Sequence, residues 1–209
     1  MKSLMTLAWV AALTLTLISC GSSHAGMGPL DGIITEEQGQ SWKVAPAGEG
    51  WRLSNTQDPG AIRYYYASEQ AGQGGRRSIS VEVRVNGGPD SLAGILYAFQ
   101  DQPRSYYLFT LAGDSSVHLH HFNQGNFEQK MQLGLDGLGN TATLTVHEYG
   151  SEIALLVNGE EKSRIGNSDM GRGAVGVVAV HTGDFLMQNF DVSLGDQSFA
   201  PRVSAAEAP

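Results

Sequence analysis

The sequence predicts an all-β protein built as a sandwich of two sheets. The first observation is strict alternation: in "SISVEVRVNGG", Val81, Val83 and Val85 fall on one face and Glu82 and Arg84 on the other, which is the period of a half-buried strand. The second is that turn-forming clusters such as "NGGPD", "NQGN" and "GLGN" recur between the apolar runs. The third is that helix formers do not cluster. About twelve short strands at hairpin spacing favour a sandwich over βαβ units.

Each predicted strand is a short run bounded by turn residues. In chain order the runs are "SWKVA", "WRLSN", "AIRYYYA", "SISVEVRV", "LAGILYAFQ", "RSYYLFTLA", "SVHLHHFN", "FEQKMQL", "TATLTVHEY", "EIALLVNG", "GAVGVVAVHT" and "FLMQNFDVSL". The run "LGLDGLG" has room for one helical turn. Residues 31–194 therefore read as one β-sandwich domain, long enough to bury roughly 70% of the surface of the unfolded chain.

The first nineteen residues lie outside this domain. Lys2 precedes the apolar run "LMTLAWVAALTLTLIS", which is too short and too early for a stop-transfer helix. The run closes on "LISC" and "GSS", which resembles a bacterial lipobox. The resemblance implies a signal peptide over 1–19, cleavage before Cys20, and lipidation of Cys20 with acyl chains such as palmitate. The alternative is an ordinary secretory signal cut near "SHAG", with Cys20 lost.

Cys20 is the only cysteine, so no intrachain disulfide is possible. Gly21 follows Cys20, and by resemblance to enterobacterial sorting this implies an outer-membrane lipoprotein, facing the periplasm or the cell surface. We expect residues 20–30 to form a lipidated flexible tether and residues 195–209 to be a disordered tail. The chain carries 13 Lys and Arg against 21 Asp and Glu, a net charge of −8. Nucleic acid is therefore excluded as a partner, and membrane contact is expected only through the lipid anchor.

The central run "GILYAFQDQPRSYYLFTLAGDSSVHL" resembles the hairpins of concanavalin A-like lectin and glucanase domains. The runs "LTVHEYGSEIALLVNGEE", "GRGAVGVVA" and "MQNFDVSL" follow in the matching order. The likeness covers about residues 33–194 and is strongest to the laminin-G-like and 3-keto-disaccharide hydrolase-like branch. It implies a jelly-roll with a concave sheet on which many members bind sugars. Members of that branch often carry arginines where this chain has Ala98 and Thr110.

Strand alternation selects the candidate ligand-binding residues. In the central runs, one parity is more apolar and is expected to be core: Tyr97, Phe99, Tyr107, Phe109 and Leu111. The other parity is expected to face the ligand, and the strand of Val81, Val83 and Val85 contributes if it joins the same sheet. The predicted ligand-binding residues are Glu82, Arg84, Gln100, Tyr106, His118 and His120. Tyr106 is expected to stack on a sugar ring while its neighbours bond the hydroxyls, and the alternative is a solvated sheet face.

The three histidines in "SVHLHHF" raise the question of a metal site. His118 and His120 share one strand face, and His121 should turn to the other. Metal binding would need a third ligand such as His147, His181 or a carboxylate, and no sequence spacing requires that these converge. We therefore expect no bound metal and no cofactor. The laminin-G resemblance also allows Ca²⁺ at the rim, held by loop aspartates: Asp101, Asp114 and Asp184.

No catalytic residues are predicted. Glucanases of the resembled fold carry a close pair of carboxylates on one strand, and nothing in this chain reproduces that spacing. Glu148 and Glu152 flank a Gly150 turn, and Glu82 has no acidic partner on its face. The sequence therefore predicts an envelope lipoprotein that binds a glycan without acting on it. The alternatives are a protein-interaction module of an envelope complex and a 3-keto-glycoside hydrolase or lyase with a His or Glu base.

Overall fold

A computed structural model describes residues 26–67, 77–166 and 173–194. A 3-10 turn, η1, spans Gly28–Leu30, and fourteen strands follow. They are β1 (Glu37–Gln38), β2 (Lys43–Ala47), β3 (Gly50–Asn55), β4 (Ile62–Ala67), β5 (Arg77–Asn86), β6 (Leu92–Asp101), β7 (Arg104–Ala112), β8 (Ser116–Asn123), β9 (Asn126–Gly134), β10 (Thr141–Tyr149), β11 (Glu152–Val157), β12 (Glu160–Gly166), β13 (Ala174–Val180) and β14 (Gly183–Leu194).

The strands form two antiparallel sheets, which confirms the predicted sandwich. The eight-stranded sheet has the order β1-β2-β3-β14-β5-β10-β11-β12, and the six-stranded sheet has the order β4-β13-β6-β7-β8-β9. Between the two sheets lies an apolar core that includes the fully buried side chains of Val81, Val83, Phe109 and Phe185. Among the described residues, no helix is long and apolar enough to cross a membrane.

The boundary of the domain lies earlier than the sequence analysis places it. Met27 and Leu30, assigned there to the tether, are buried in the core. Asp31 holds this segment in place, because its Oδ1 accepts a hydrogen bond of 2.9 Å from the backbone N–H of Met27. Two apolar side chains in a mostly small-residue stretch give no periodic signal, so the pattern could not separate them from a linker.

Three other elements differ from the prediction. Strand β1 (Glu37–Gln38) is a two-residue strand that matches none of the predicted runs. The run "EEKSRIG" forms strand β12, although its charged residues read as the end of a turn. It is an edge strand that pairs with β11 through the backbone, so it needs no alternating apolar face. The run "LGLDGLG" holds turns and no helical turn.

A bulge in β6 changes which face its aromatic residues occupy. The pairing with β7 jumps from Tyr97↔Tyr107 to Gln100↔Ser105, and Ala98 sits at φ +54° in the left-handed region. Tyr97 and Ala98 both contact the core, whereas Phe99 lies on the opposite face of the sheet. The prediction that Phe99 is a core residue is therefore wrong, because one extra residue reverses the alternation.

Candidate ligand-binding face

The face of the six-stranded sheet that points away from the core is itself apolar. We call it the outer face. Leu96, Leu108 and Val178 are fully buried there, beneath a layer of aromatic side chains. Gly176 lies between β4 and β6, and a Cβ on it would collide with the carbonyl oxygen of Tyr65. The sheet is therefore packed as closely on this face as a second core requires.

Five aromatic rings form a continuous series across the outer face, which we call the ring array: Tyr64, Tyr66, Phe99, Tyr106 and Phe122. The centroids of Tyr66 and Phe99 are 4.3 Å apart, and those of Phe99 and Tyr106 are 5.9 Å apart. Tyr106 stacks on Phe122 at 4.8 Å with 10° between the planes. Tyr64 contacts both Phe99 and Tyr106. Tyr64, Tyr66 and Phe122 are half-buried, so part of each ring is open to a ligand.

Phe127 extends the aromatic surface to the edge of the sheet. It is 49% exposed and lies on β9 opposite Phe122. Its ring stacks on His120 with 4.8 Å between centroids and 14° between planes. From β4 to β9 the rings cross five strand spacings, roughly 24 Å. Sequence analysis missed Phe127 because it lies in an exposed edge strand, where "NFEQKMQL" alternates only weakly.

A polar group adjoins the ring array on β8. Asp114 Oδ1 is 2.5 Å from Ser116 Oγ, and Ser116 Oγ is 2.7 Å from His118 Nε2. The rings of His118 and His120 are 5.4 Å apart. Burial lowers the pKa of both imidazoles, so both are neutral at pH 7. The hydrogen bond from Ser116 lowers the pKa of the Asp114 carboxyl, which keeps it ionised.

Two polar atoms close to these imidazoles are buried without a hydrogen-bond partner among the described residues. They are Nδ1 of His120 and Oγ1 of Thr110. Thr110 pairs with His118 across β7 and β8, and His120 is two residues further along the same face. Buried polar groups in proteins nearly always have partners, so two such atoms on one face single out this part of the sheet.

The structure corrects the role expected for Tyr106. Its side chain does lie on the outer face, as the alternation predicts, but the residue is only 6% exposed. Phe122 covers one side of the ring, and Phe99 and Tyr64 pack around the remainder. Burial also raises the pKa of its hydroxyl. Tyr106 therefore supports the ring array, and it has no free ring face on which a sugar could stack.

The six predicted ligand-binding residues do not form one group. Tyr106, His118 and His120 come together on the outer face. Glu82 and Arg84 lie on β5 in the eight-stranded sheet, so the condition under which they would join the site is not met. Glu82 instead accepts a hydrogen bond of 3.2 Å from Asn189.

Gln100 also falls outside the group. It pairs with Ser105 after the β6 bulge. Ser105 contacts His121, whose ring stacks on Tyr107 at 4.2 Å. Gln100 therefore shares the inward face of the sheet edge and not the face of Tyr106. His121 does turn to the face opposite His120, as predicted.

The three aspartates considered for Ca²⁺ lie apart. Asp101 is the last residue of β6 and pairs with Arg104 at the start of β7 at 3.0 Å, whereas Asp114 follows the other end of β7. Asp184 is on β14 in the other sheet, 3.6 Å from Arg52. In the part of the chain that the structure describes, no group of three or more His, Cys, Asp or Glu side chains is placed to hold a metal ion.

Glu148 belongs to a buried charge cluster inside the sandwich. Its Oε1 is 2.6 Å from Arg77 Nη2 and accepts a hydrogen bond of 2.6 Å from the hydroxyl of Tyr97. The side chains of Arg77 and Glu148 are 2% and 0% exposed. Burial is the main cause that raises the pKa of the Tyr97 hydroxyl. This carboxylate joins the two sheets from within and is out of reach of the outer face.

Comparison with known proteins defines the fold. No family model matches the chain, and no curated protein sequence matches it. Among solved structures, the chain is similar to the carbohydrate-binding module CBM66 from Bacillus subtilis, with a TM-score of 0.58 and 14% identity over 73% of this chain and 92% of that one.

It is also similar to a Bacillus subtilis protein of unknown function with a galectin-like fold, with a TM-score of 0.53 and 12% identity over 74% of this chain and 86% of that one. The Bacillus licheniformis beta-glucanase gives a TM-score of 0.53 and 12% identity over 78% of this chain and 90% of that one. The chain therefore has the jelly-roll sandwich of galectin-like and glucanase folds.

Proposed function

We propose that this chain is a lipid-anchored envelope protein whose β-sandwich binds a glycan on its outer face without acting on it. The observation that carries the proposal is the combination on one face of an aromatic surface with two neutral imidazoles. Sugar rings have an apolar C–H face and a rim of hydroxyls. Ligand sites that suit such molecules are mostly apolar with a few well-placed polar groups.

The aromatic surface supplies the apolar part of the proposed site. Tyr64, Tyr66 and Phe122 are half-buried, and Phe127 is the most exposed of the rings. These four side chains line the outer face from one edge strand to the other, so they suit an extended ligand that lies across the strands. A protein segment would also find an apolar surface here, and the experiment below distinguishes the two.

The carboxylates support binding over hydrolysis. Hydrolysis of a glycosidic bond uses two carboxyl groups roughly 5–9.5 Å apart on either side of the bond. The acidic groups that influence His118 are Asp114 and Asp90, and Asp114 is already bound by the hydroxyl and backbone N–H of Ser116. The Glu148 carboxylate forms an ion pair with Arg77 in the core. An imidazole base acting on a 3-keto-glycoside is the remaining enzymatic alternative.

The fold and the leader support the remainder of the proposal. Two of the similar structures are named as a carbohydrate-binding module and a glucanase, which is support at the level of fold. The lipobox-like "LISCG" supports lipidation of Cys20 and an outer-membrane location. The glycans available there are peptidoglycan, lipopolysaccharide sugars and polysaccharides from outside the cell.

A glycan array probed with the purified domain tests the proposal. The array should carry peptidoglycan fragments, lipopolysaccharide oligosaccharides and neutral and acidic polysaccharides. Retention of at least one glycan is expected, with Phe127→Ala weakening the binding about tenfold or more, which corresponds to about 1.4 kcal/mol. Ile33→Ala is the matched control, since within residues 26–67, 77–166 and 173–194 Ile33 is the other exposed large apolar side chain, at 41%, and it takes no part in the ring array.

Three outcomes would contradict the proposal. Retention of no glycan, together with specific capture of an envelope protein that Phe127→Ala loses, would favour the interaction module. Turnover of a 3-keto-glycoside by the wild type would establish an enzyme. Equal loss of glycan binding in Phe127→Ala and Ile33→Ala would show that binding does not depend on the outer face.

A further inference from the structure

We infer a subsite within the proposed glycan site, an inference that rests on the proposed function. The subsite would hydrogen-bond neighbouring hydroxyls of a neutral sugar through His118 Nδ1, His120 Nδ1 and the hydroxyl of Thr110. The subsite adjoins Phe127, whose ring stacks on His120. Its chemistry follows from which of its atoms already have partners and which do not.

The tautomer of His118 is fixed by its neighbours. An ionised carboxylate can only accept hydrogen bonds, so the Ser116 hydroxyl donates its single proton to Asp114 Oδ1 at 2.5 Å. Ser116 Oγ must then accept from His118 Nε2 at 2.7 Å. The proton of the neutral ring is therefore on Nε2, and Nδ1 presents a lone pair. Asp114 and Ser116 act as positioning residues for that acceptor.

His120 offers a second ring nitrogen on the same face. Gln129 lies directly across from it in the pairing of β8 with β9. Nδ1 of His120 is buried and has no hydrogen-bond partner among the described residues, so it is open to a ligand group.

Thr110 completes the group from the adjacent strand. It is fully buried, and its hydroxyl has no partner among the described residues. It lies directly across from His118 in the pairing of β7 with β8. A threonine hydroxyl both donates and accepts. Two buried polar atoms without a partner thus lie on the same face as the lone pair of His118 Nδ1, and a ligand group that suits them must donate to a nitrogen and also exchange hydrogen bonds with a hydroxyl.

Sugar hydroxyls meet this requirement, and anions do not. The two imidazole rings are 5.4 Å apart, a spacing over which neighbouring hydroxyls of one sugar ring can each reach one nitrogen. A carboxylate or phosphate oxygen has no proton to donate to a lone pair. The charged groups near His118 are Asp114 and Asp90, and the titratable neighbours of His120 are His118 and His181. With both imidazoles neutral, the nearby charge is negative and repels an anion.

The test uses oligosaccharides of defined charge and three variants of the full mature chain. The probes are neutral gluco-, xylo-, fructo- and chito-oligosaccharides, with alginate and pectin oligosaccharides as acidic counterparts. Binding is expected to be confined to the neutral set. His118→Gln keeps a donor for Ser116 and removes the Nδ1 acceptor, and it should weaken binding about tenfold. His121→Gln, on the opposite face of the same strand, should bind as the wild type does.

Thr110→Val separates a binding role from a structural one. Valine has nearly the shape of threonine, and it removes a buried hydroxyl that has no partner. Binding should weaken several-fold, and the melting temperature should stay unchanged or rise. A fall in melting temperature would show that the hydroxyl serves the fold, and it would overturn the role given to Thr110.

Failure of the inference is distinguishable from failure of the proposed function. If Phe127→Ala loses glycan binding while His118→Gln and Thr110→Val keep it, the subsite is overturned and the glycan site stands. Preference for the acidic probes would also overturn the subsite alone. If the wild type binds no oligosaccharide, both are overturned. Nitrogen-15 spectra of the imidazoles give a separate check, since a proton on Nδ1 of His118 at pH 7 would contradict the assigned tautomer.

Discussion

Replacing Glu148 with glutamine should cost this protein a large part of its stability. The Glu148 carboxylate accepts hydrogen bonds from the backbone N–H, Nε and Nη2 of Arg77 and from the hydroxyl of Tyr97. Glutamine keeps the shape but removes the charge that faces the Arg77 guanidinium, whose side chain is 2% exposed. Breaking a buried ion pair in this way costs about 3–5 kcal/mol.

The expected loss is large against the whole free energy of unfolding. Domains of this kind are stable by about 5–15 kcal/mol, so Glu148→Gln should lower the urea midpoint strongly with an unchanged m-value. In thermal unfolding the loss corresponds to about 6–20 °C for a chain of this length. Tryptophan fluorescence can follow both experiments, because Trp42 lies in the core and Trp51 packs against it.

Two comparison variants make the experiment decisive. Glu161→Gln breaks the exposed pair with Arg164, whose side chains are 42% and 26% exposed, and should cost no more than about 1 kcal/mol. The double variant Arg77→Met/Glu148→Leu removes both charges and should be more stable than Glu148→Gln. If Glu148→Gln lost no more stability than Glu161→Gln, the inference that the buried charge pair stabilises the fold would be refuted.

Three further predictions concern the anchor, the ring array and acid. Cys20→Ala should remain unprocessed or appear as a soluble form without label from metabolic palmitate, and equal label on both chains would contradict lipidation. Tyr106→Ala should lower the free energy of unfolding by about 3 kcal/mol, as the loss of a buried aromatic ring does; an unchanged urea midpoint would show that the ring is not packed. Burial lowers the pKa of His118 and His120 in the folded chain. At a pH just below the ordinary histidine pKa, the unfolded chain therefore binds more protons than the folded chain does. Stability should therefore be complete above about pH 6.5 and fall as the pH falls below it. Urea unfolding at several pH values checks this, and the free energy of unfolding should depend less steeply on pH in the double variant His118→Gln/His120→Gln.

The alternation of β5 and β10 indicates a buried ion pair as well as the sandwich. It placed Val81 and Val83 on the inward face correctly, because a strand with one buried face can keep only one parity. The same parity places Glu148 inward beside Val146, and an inward carboxylate requires a buried partner. Arg77 shares the inward parity of β5 in the same way. The buried ion pair was thus signalled in the sequence as two charges on apolar faces.

The composition of the candidate site was less accessible to sequence analysis. Alternation shows which side of a strand a residue occupies, but it does not show which sheet the strand joins. Glu82 and Arg84 were grouped with Tyr106 on the condition of a shared sheet, and the pairing of β5 with β10 and β14 places them elsewhere. The bulge at Ala98 was equally hidden, since alanine gives no signal for a left-handed backbone. Phe99 consequently joined the ring array instead of the core.

The packing of Met27 into the core would limit where the domain can work if Cys20 is the membrane anchor. Met27 lies only seven residues after Cys20 in the chain. Seven residues span at most about 25 Å even when fully extended, whereas the eight-stranded sheet alone is roughly 34 Å wide. The domain would then act within a thin layer beside the bilayer, with the η1 side held nearest the lipid, and a partner would have to enter that layer to be captured.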